Sequence, residues 1–137
     1  MRYLGLDIGN RRIGIAVGST EARIATPLRV LERKNIEHDA ARILDLVREY
    51  DVDAIIAGLP RNADNTPSEQ EQLTRAYVAQ LTPLLGLPIS LYDERFSTFA
   101  ALLQQRARGI REKRGRAKLD ADAAAVILQS FLDSLEP

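Results

Sequence analysis

The run from Val52 to Gly58, VDAIIAG, constrains the fold more than any other stretch of this chain. An apolar run of strand length reads as a strand covered on both faces, and such strands belong to sheets with helices above and below. The flanking sequence agrees. Tyr3–Ile8 and Ile13–Val17 are short apolar runs separated by the tight-turn pair Gly9-Asn10, and Ala25–Leu31 reads as a third strand. Pro27 inside that third run favours an edge position or a bulge. The period then changes: Ile36, Ala40, Ile43, Leu44 and Val47 recur at helical spacing, which predicts a helix ending near Tyr50.

After a Pro- and Asn-rich loop over 59–67, Ser68 with Glu71 three residues on forms a capping box. The helix it opens should turn Leu73, Ala76, Tyr77 and Leu81 inward, with Pro83 disturbing its last turn. Pro88–Tyr92 reads as a fifth strand, Thr98–Ala107 as a helix, Gly109–Lys118 as a loop, and the residues from Leu119 as a final helix. The expectation is one α/β domain over residues 1–137, three-layered, with a mixed five-stranded sheet and helices on both faces.

Residue usage removes several chemistries. The chain has no cysteine and one histidine. That excludes disulfides, iron–sulfur clusters, cysteine-ligated zinc and thiol nucleophiles, and leaves a Ser-His-Asp triad resting wholly on His38. There is no GxxxxGK[ST], and Gly5, Gly9 and Gly14 do not make GxGxxG. The opening MRYLGLDIGN carries charges at positions 2 and 7 and reads as neither signal peptide nor membrane span, so a soluble cytoplasmic protein is expected.

Three acidic positions interrupt apolar settings. Asp7 lies inside the first strand, as a catalytic carboxylate or as a cap of the Gly9-Asn10 turn. Asp93-Glu94 follows the fifth strand at its C-terminal edge, where open α/β sheets bind ligands. Asp120 heads the stripe Ala124, Ile127, Leu128 and Phe131, so it starts the face that packs on the sheet; a place in a helix's first turn would also favour an acid through the dipole. Asp122 falls on another side of that helix. Carboxylates gathered at one sheet edge need a cation, because like charges at close range repel. Oxygen ligands select Mg²⁺ or Mn²⁺, and two such ions can activate water and stabilise the leaving oxygen of a phosphodiester.

Charge is zero overall, with 19 Lys and Arg against 19 Asp and Glu, yet it is segregated. Arg106, Arg108, Arg111, Lys113, Arg114, Arg116 and Lys118 face only Glu112, a net +6 in 15 residues. Together with Arg11, Arg12, Arg61 and Arg95 they suit a phosphate backbone, with a solvated loop as the plain alternative. Phe96 and Phe99 read as packing residues, so base stacking has little support.

The segments LGLDIGNRRIGIAVG (4–18), AGLPRNADNTPSEQ (57–70), YDERFST (92–98) and KLDADAAAVIL (118–128) resemble the YqgF-type, or RuvX, family of Holliday-junction-resolvase-like nucleases, which share the ribonuclease H-like fold. The resemblance spans nearly the whole chain. It implies an acidic centre on Asp7, Glu94 and Asp120, with Asp93 as a fourth metal contributor or an orienting residue. It also implies a nuclease acting on structured RNA or branched DNA: maturation of the 5′ end of pre-16S ribosomal RNA, or resolution of four-way junctions, the latter favouring a homodimer. A non-catalytic assembly factor and an ATP-binding domain, suggested by the DxG opening, are the competing readings.

Overall fold

A computed structural model describes residues 1–62, 64, 66, 68–96 and 113–135, and for 113–119 it describes the backbone alone. Strands β1 (Arg2–Ile8), β2 (Arg12–Ser19) and β3 (Ala25–Glu32) form an antiparallel meander. Helix α1 (Ile36–Glu49) leads to β4 (Ala54–Leu59), α2 (Glu69–Leu85) to β5 (Ile89–Asp93), and a 3₁₀ turn covers Glu94–Phe96. Helix α3 (Lys113–Ser134) follows. The sheet order is β3-β2-β1-β4-β5, with β4 parallel to both β1 and β5.

Strand alternation sorts the side chains into two layers. Leu4, Leu6 and Ile8 of β1, Ile13 and Ile15 of β2, and Ile55 and Ala57 of β4 pack with α1 and α2. Tyr3, Ala16, Ala54 and Ile56 point the other way, onto Ala123, Ala124, Ala125, Ile127, Leu128 and Leu132 of α3. All six residues of β4 are buried, as the VDAIIAG run requires. Pro27 lies on the edge strand, at a shift in register: Ile15 pairs with Arg29 and Ala16 with Pro27, so Leu28 bulges out between them.

Caps follow the sequence closely. Asn35 accepts from the His38 amide at the start of α1, and Ser68 from the Glu71 amide at the start of α2. Helix α2 continues through Pro83 to Leu85, and Gly86 closes it at φ 68°, in the left-handed region. Thr82, beside the proline, turns its hydroxyl back onto the Val78 carbonyl at 2.7 Å.

Three expectations are corrected. The inward face of α2 is Thr74, Tyr77, Val78, Leu81 and Leu85, while Leu73 and Ala76 are exposed; burial of Tyr77 and Val78 against α1 and the sheet sets the helix rotation. The final helix begins at Lys113, so Lys113, Arg114, Arg116 and Lys118 stand on helical backbone, not in a loop. Lys, Arg and Ala favour helix strongly enough to carry Gly115, which costs about 1 kcal/mol in a helix interior. Phe96 is 71% exposed instead of packed. The helix expected over Thr98–Ala107, and Phe99, Arg106, Arg108 and Arg111 with it, lie outside the described residues.

Candidate active site

Asp7 is the only charged residue of β1 between its two ends, and it is buried. Its place follows from alternation: with Tyr3 and Gly5 it belongs to the face that meets α3. Across the antiparallel pairing it sits opposite Gly14 of β2. In the parallel direction Leu6 pairs with Ala57, which puts Gly58 one step further along β4, beside Asp7.

Both glycine neighbours are places where something else comes close. A Cβ on Gly14 would fall onto the backbone carbonyl of Asp120. A Cβ on Gly58 would stand 2.7 Å from Glu94 Oε1 and 2.5 Å from Ile127 Cδ1. The sheet therefore carries Asp120 over one neighbouring strand and Glu94 over the other, with Asp7 between them. Adjacent strands lie about 4.8 Å apart, so the three acids form a row across β2, β1 and β4.

Asp120 lies about two turns into α3, beyond its first turn. The helix dipole thus does not account for an acid here, since its effect falls off within the first turn. The Asp120 carboxylate is held by Arg12, Nε to Oδ2 at 3.1 Å, and both side chains are largely covered. Asp7, Gly9, Asn10, Arg11, Arg12 and Asp120 line one open cleft of about 380 Å³. Asp122, on the other side of the helix, is half-buried and does not line this cleft.

Asp93 is engaged by two arginines. Arg95 grips both carboxylate oxygens, through Nε at 3.1 and 3.0 Å and through Nη2 at 2.6 Å, and its backbone amide donates to Oδ1 at 2.9 Å. Arg61 Nη1 lies 3.5 Å from Asp93 Oδ2, and Arg61 Nε lies 3.3 Å from Glu71 Oε1. The Arg95 guanidinium holds the Asp93 carboxyl below the usual carboxylate range. Asp93 thus fixes two cations beside Glu94. Glu71 was visible in the sequence as half of a capping box; its pairing with Arg61 was not, because it depends on where the 59–67 loop folds back.

The donor set tests the fit to a divalent ion. Asp7, Glu94 and Asp120 offer only carboxylate oxygens, the chemistry that hard cations such as Mg²⁺ and Mn²⁺ prefer. Among the described residues, no three acidic or histidine side chains come close enough together to hold one ion. The chemistry fits, with the acids standing as a row and not as a closed cage.

The family model for RuvX, described as Holliday junction resolvase, matches residues 1–134. The chain belongs to the RuvX family. A relative from Anaeromyxobacter sp. (strain Fw109-5), named "Putative pre-16S rRNA nuclease", is 42% identical over 133 residues, 97% of each chain. A relative of the same name from Burkholderia ambifaria (strain MC40-6) is 41% identical over 132 residues, 96% of this chain and 89% of that one. Among solved structures, Thermus thermophilus RuvC in complex with a Holliday junction substrate matches with a TM-score of 0.60 at 18% identity, over 98% of this RuvX chain and 94% of that one. The fowlpox virus Holliday junction resolvase matches with a TM-score of 0.52 at 17% identity, over 98% and 100%. The fold is the ribonuclease H-like one that the family resemblance implied, and the mixed five-stranded sheet with helices on both faces is the one read from the element order. Among the described residues no helix is long and apolar enough to cross a membrane.

Proposed function

We propose that this RuvX protein is a divalent-metal-dependent nuclease that hydrolyses phosphodiester bonds of structured nucleic acid in the cytoplasm, with the 5′ end of pre-16S ribosomal RNA as its substrate. The observation that carries the reading is the row of Glu94, Asp7 and Asp120 across three adjacent strands, which the sheet and α3 assemble from three distant parts of the sequence. Asp7, flanked on both sides, is common to the two neighbouring pairs, and these three residues would hold Mg²⁺ or Mn²⁺. A bound divalent ion supplies an acidified water and positive charge for the leaving oxygen. Asp93 serves as the residue that orients Arg61 and Arg95, not as a metal ligand.

The arginines divide the remaining work. Arg11 and Arg12 line the cleft and Arg61 and Arg95 flank Glu94, so a backbone crossing the row meets cations on either side. By sequence alone, Lys113, Arg114, Arg116 and Lys118, with Arg106, Arg108 and Arg111 before them, add positive charge to the segment that leads into Asp120. The names of the curated relatives favour ribosomal RNA; the family description favours a four-way DNA junction, which would call for two copies of the chain.

The test is cleavage with Mn²⁺ or Mg²⁺ of a pre-16S ribosomal RNA fragment and of a four-way DNA junction of equal length. Preferential cutting of the RNA is expected. Preferential cutting of the junction would transfer the function to the second substrate. Binding without metal-dependent cleavage of either would reduce the protein to an assembly factor.

A further inference from the structure

A second cavity opens beside the acidic cleft, on the α2 side of the sheet. It measures about 190 Å³ and is lined by Ile8, Asn10, Arg33, Gln70, Leu73 and Thr74. Asn10 lines both this cavity and the cleft that holds Asp7 and Asp120, so the two are separated only by the turn after β1. The volume is below the 300–1,000 Å³ of a site for drug-sized ligands and suits a single ring system.

Its lining is mixed in a particular way. Ile8 and Leu73 supply apolar surface, and Leu73 is 49% exposed where the helix pattern had placed it in the core. Asn10 and Gln70 supply amides, each offering donors and acceptors together. Thr74 is 1% exposed, and its hydroxyl has no hydrogen-bond partner among the described residues. A buried hydroxyl left unsatisfied costs about 1–3 kcal/mol, so the side chain is better explained by a ligand than by packing.

One wall is fixed in advance. Arg33 donates from Nη1 to the Gly9 carbonyl at 2.7 Å, and its guanidinium carbon stands 4.0 Å from the centre of the Tyr77 ring. The Tyr77 hydroxyl in turn donates to Asp39 Oδ2 at 2.7 Å. This chain of contacts couples the turn after β1 to the core between α1 and α2.

Apolar surface with amides and a hydroxyl is the chemistry that recognises an unpaired nucleobase: a flat apolar face and an edge that both donates and accepts. We propose that this cavity receives one unpaired base of the substrate strand, adjacent to the phosphodiester held over the acidic row. The inference rests on the nucleic-acid reading above but not on cleavage. It makes the enzyme select a cut site next to an unstacked nucleotide.

The test separates the pocket from the chemistry by using full-length Asp7→Asn protein and single-stranded-flanked ribosomal RNA, with binding followed by fluorescence anisotropy. One base at a time is removed by abasic substitution. At one position the loss should weaken binding roughly tenfold, within the range for a captured base. Gln70→Ala with Leu73→Ser should bind the intact RNA as weakly as the abasic one, so that the penalty disappears. Thr74→Val, which keeps the shape and folds without the unsatisfied hydroxyl, should reduce the penalty severalfold.

No sensitive position, or an unchanged penalty in both variants, would overturn the proposal, as would absence of RNA binding. Loss of cleavage by the wild type with the abasic coupling intact would instead overturn the nuclease reading and leave the pocket standing.

Discussion

Toward α1 and α2 the strands present Leu4, Leu6, Ile13, Ile15 and Ile55; toward α3 the same strands present Gly5, Asp7, Gly14, Ala16 and Gly58. The first layer is filled by large aliphatic side chains, which is where burial contributes most of the stability. In the second layer, apart from Tyr3 and Ile56, the central strands present mainly glycine and alanine around Asp7. There an alanine-rich helix lies directly on backbone, and Glu94 reaches over Gly58. Small residues give up packing energy at this face and gain close approach, which is what brings two acids from other elements to either side of Asp7. The same sheet is thus a scaffold on one side and a positioning surface on the other.

Substitutions on the two faces should therefore differ in kind. Asp7→Asn should abolish metal-dependent cleavage by on the order of 10³-fold or more, as expected for a member of a group acting as a unit. Nucleic-acid binding should persist, and a gel-based cleavage series against a filter-binding isotherm reads both. Gly14→Ala should act from a distance. The new Cβ collides with the Asp120 carbonyl, so the helix must move. The expected loss is about 10²-fold in cleavage, the scale of a 1 Å misplacement, with about 1–3 kcal/mol of stability lost to overpacking. Cleavage close to wild type in Gly14→Ala would break the comparison.

On the opposite face, Ile43→Ala removes a fully buried side chain of α1 and should cost about 2–5 kcal/mol in urea unfolding. Its cleavage rate per folded molecule should not change. The smallest effect belongs to Tyr77→Phe, which removes the hydrogen bond to Asp39 and should cost roughly 1–3 kcal/mol at neutral pH. Burial, then the Asp39 carboxylate, pushes the Tyr77 hydroxyl far above its ordinary value of 10.0. The fold favours the neutral phenol, so the stability from this group is complete below about pH 10 and is lost as pH rises further. Wild type should lose more stability between pH 9 and 11 than Tyr77→Phe does.

Much of this was legible in the sequence. Alternation and the DxG turn placed Asp7, the strand end placed Glu94, and the stripe from Asp120 to Phe131 placed the helix face, because each depends on local periodicity. What was not legible depends on rotation and reach. Leu73 and Thr74 exchange roles because Tyr77 and Val78 turn α2. Arg61, Glu71 and Asp93 meet only once a loop, a helix cap and a strand end are folded together. Gly14 and Gly58 carried a readable signal, as glycines on the strand face opposite the aliphatic one, paired with the alanine run 121–125. The start of α3 at Lys113 was hidden by Gly109 and Gly115, which punctuate the sequence like a loop although Lys113–Lys118 takes helical backbone.

On the proposed reading, Asp7 and Asp120 would hold one cation because α3 lies on the backbone of β2. Calorimetric titration of Mn²⁺ into wild type, Asp7→Asn, Asp120→Asn and Gly14→Ala tests it without reference to any substrate. Binding to wild type that is lost in both Asn variants and weakened in Gly14→Ala is the expected result. Equal Mn²⁺ binding by all four proteins would contradict it.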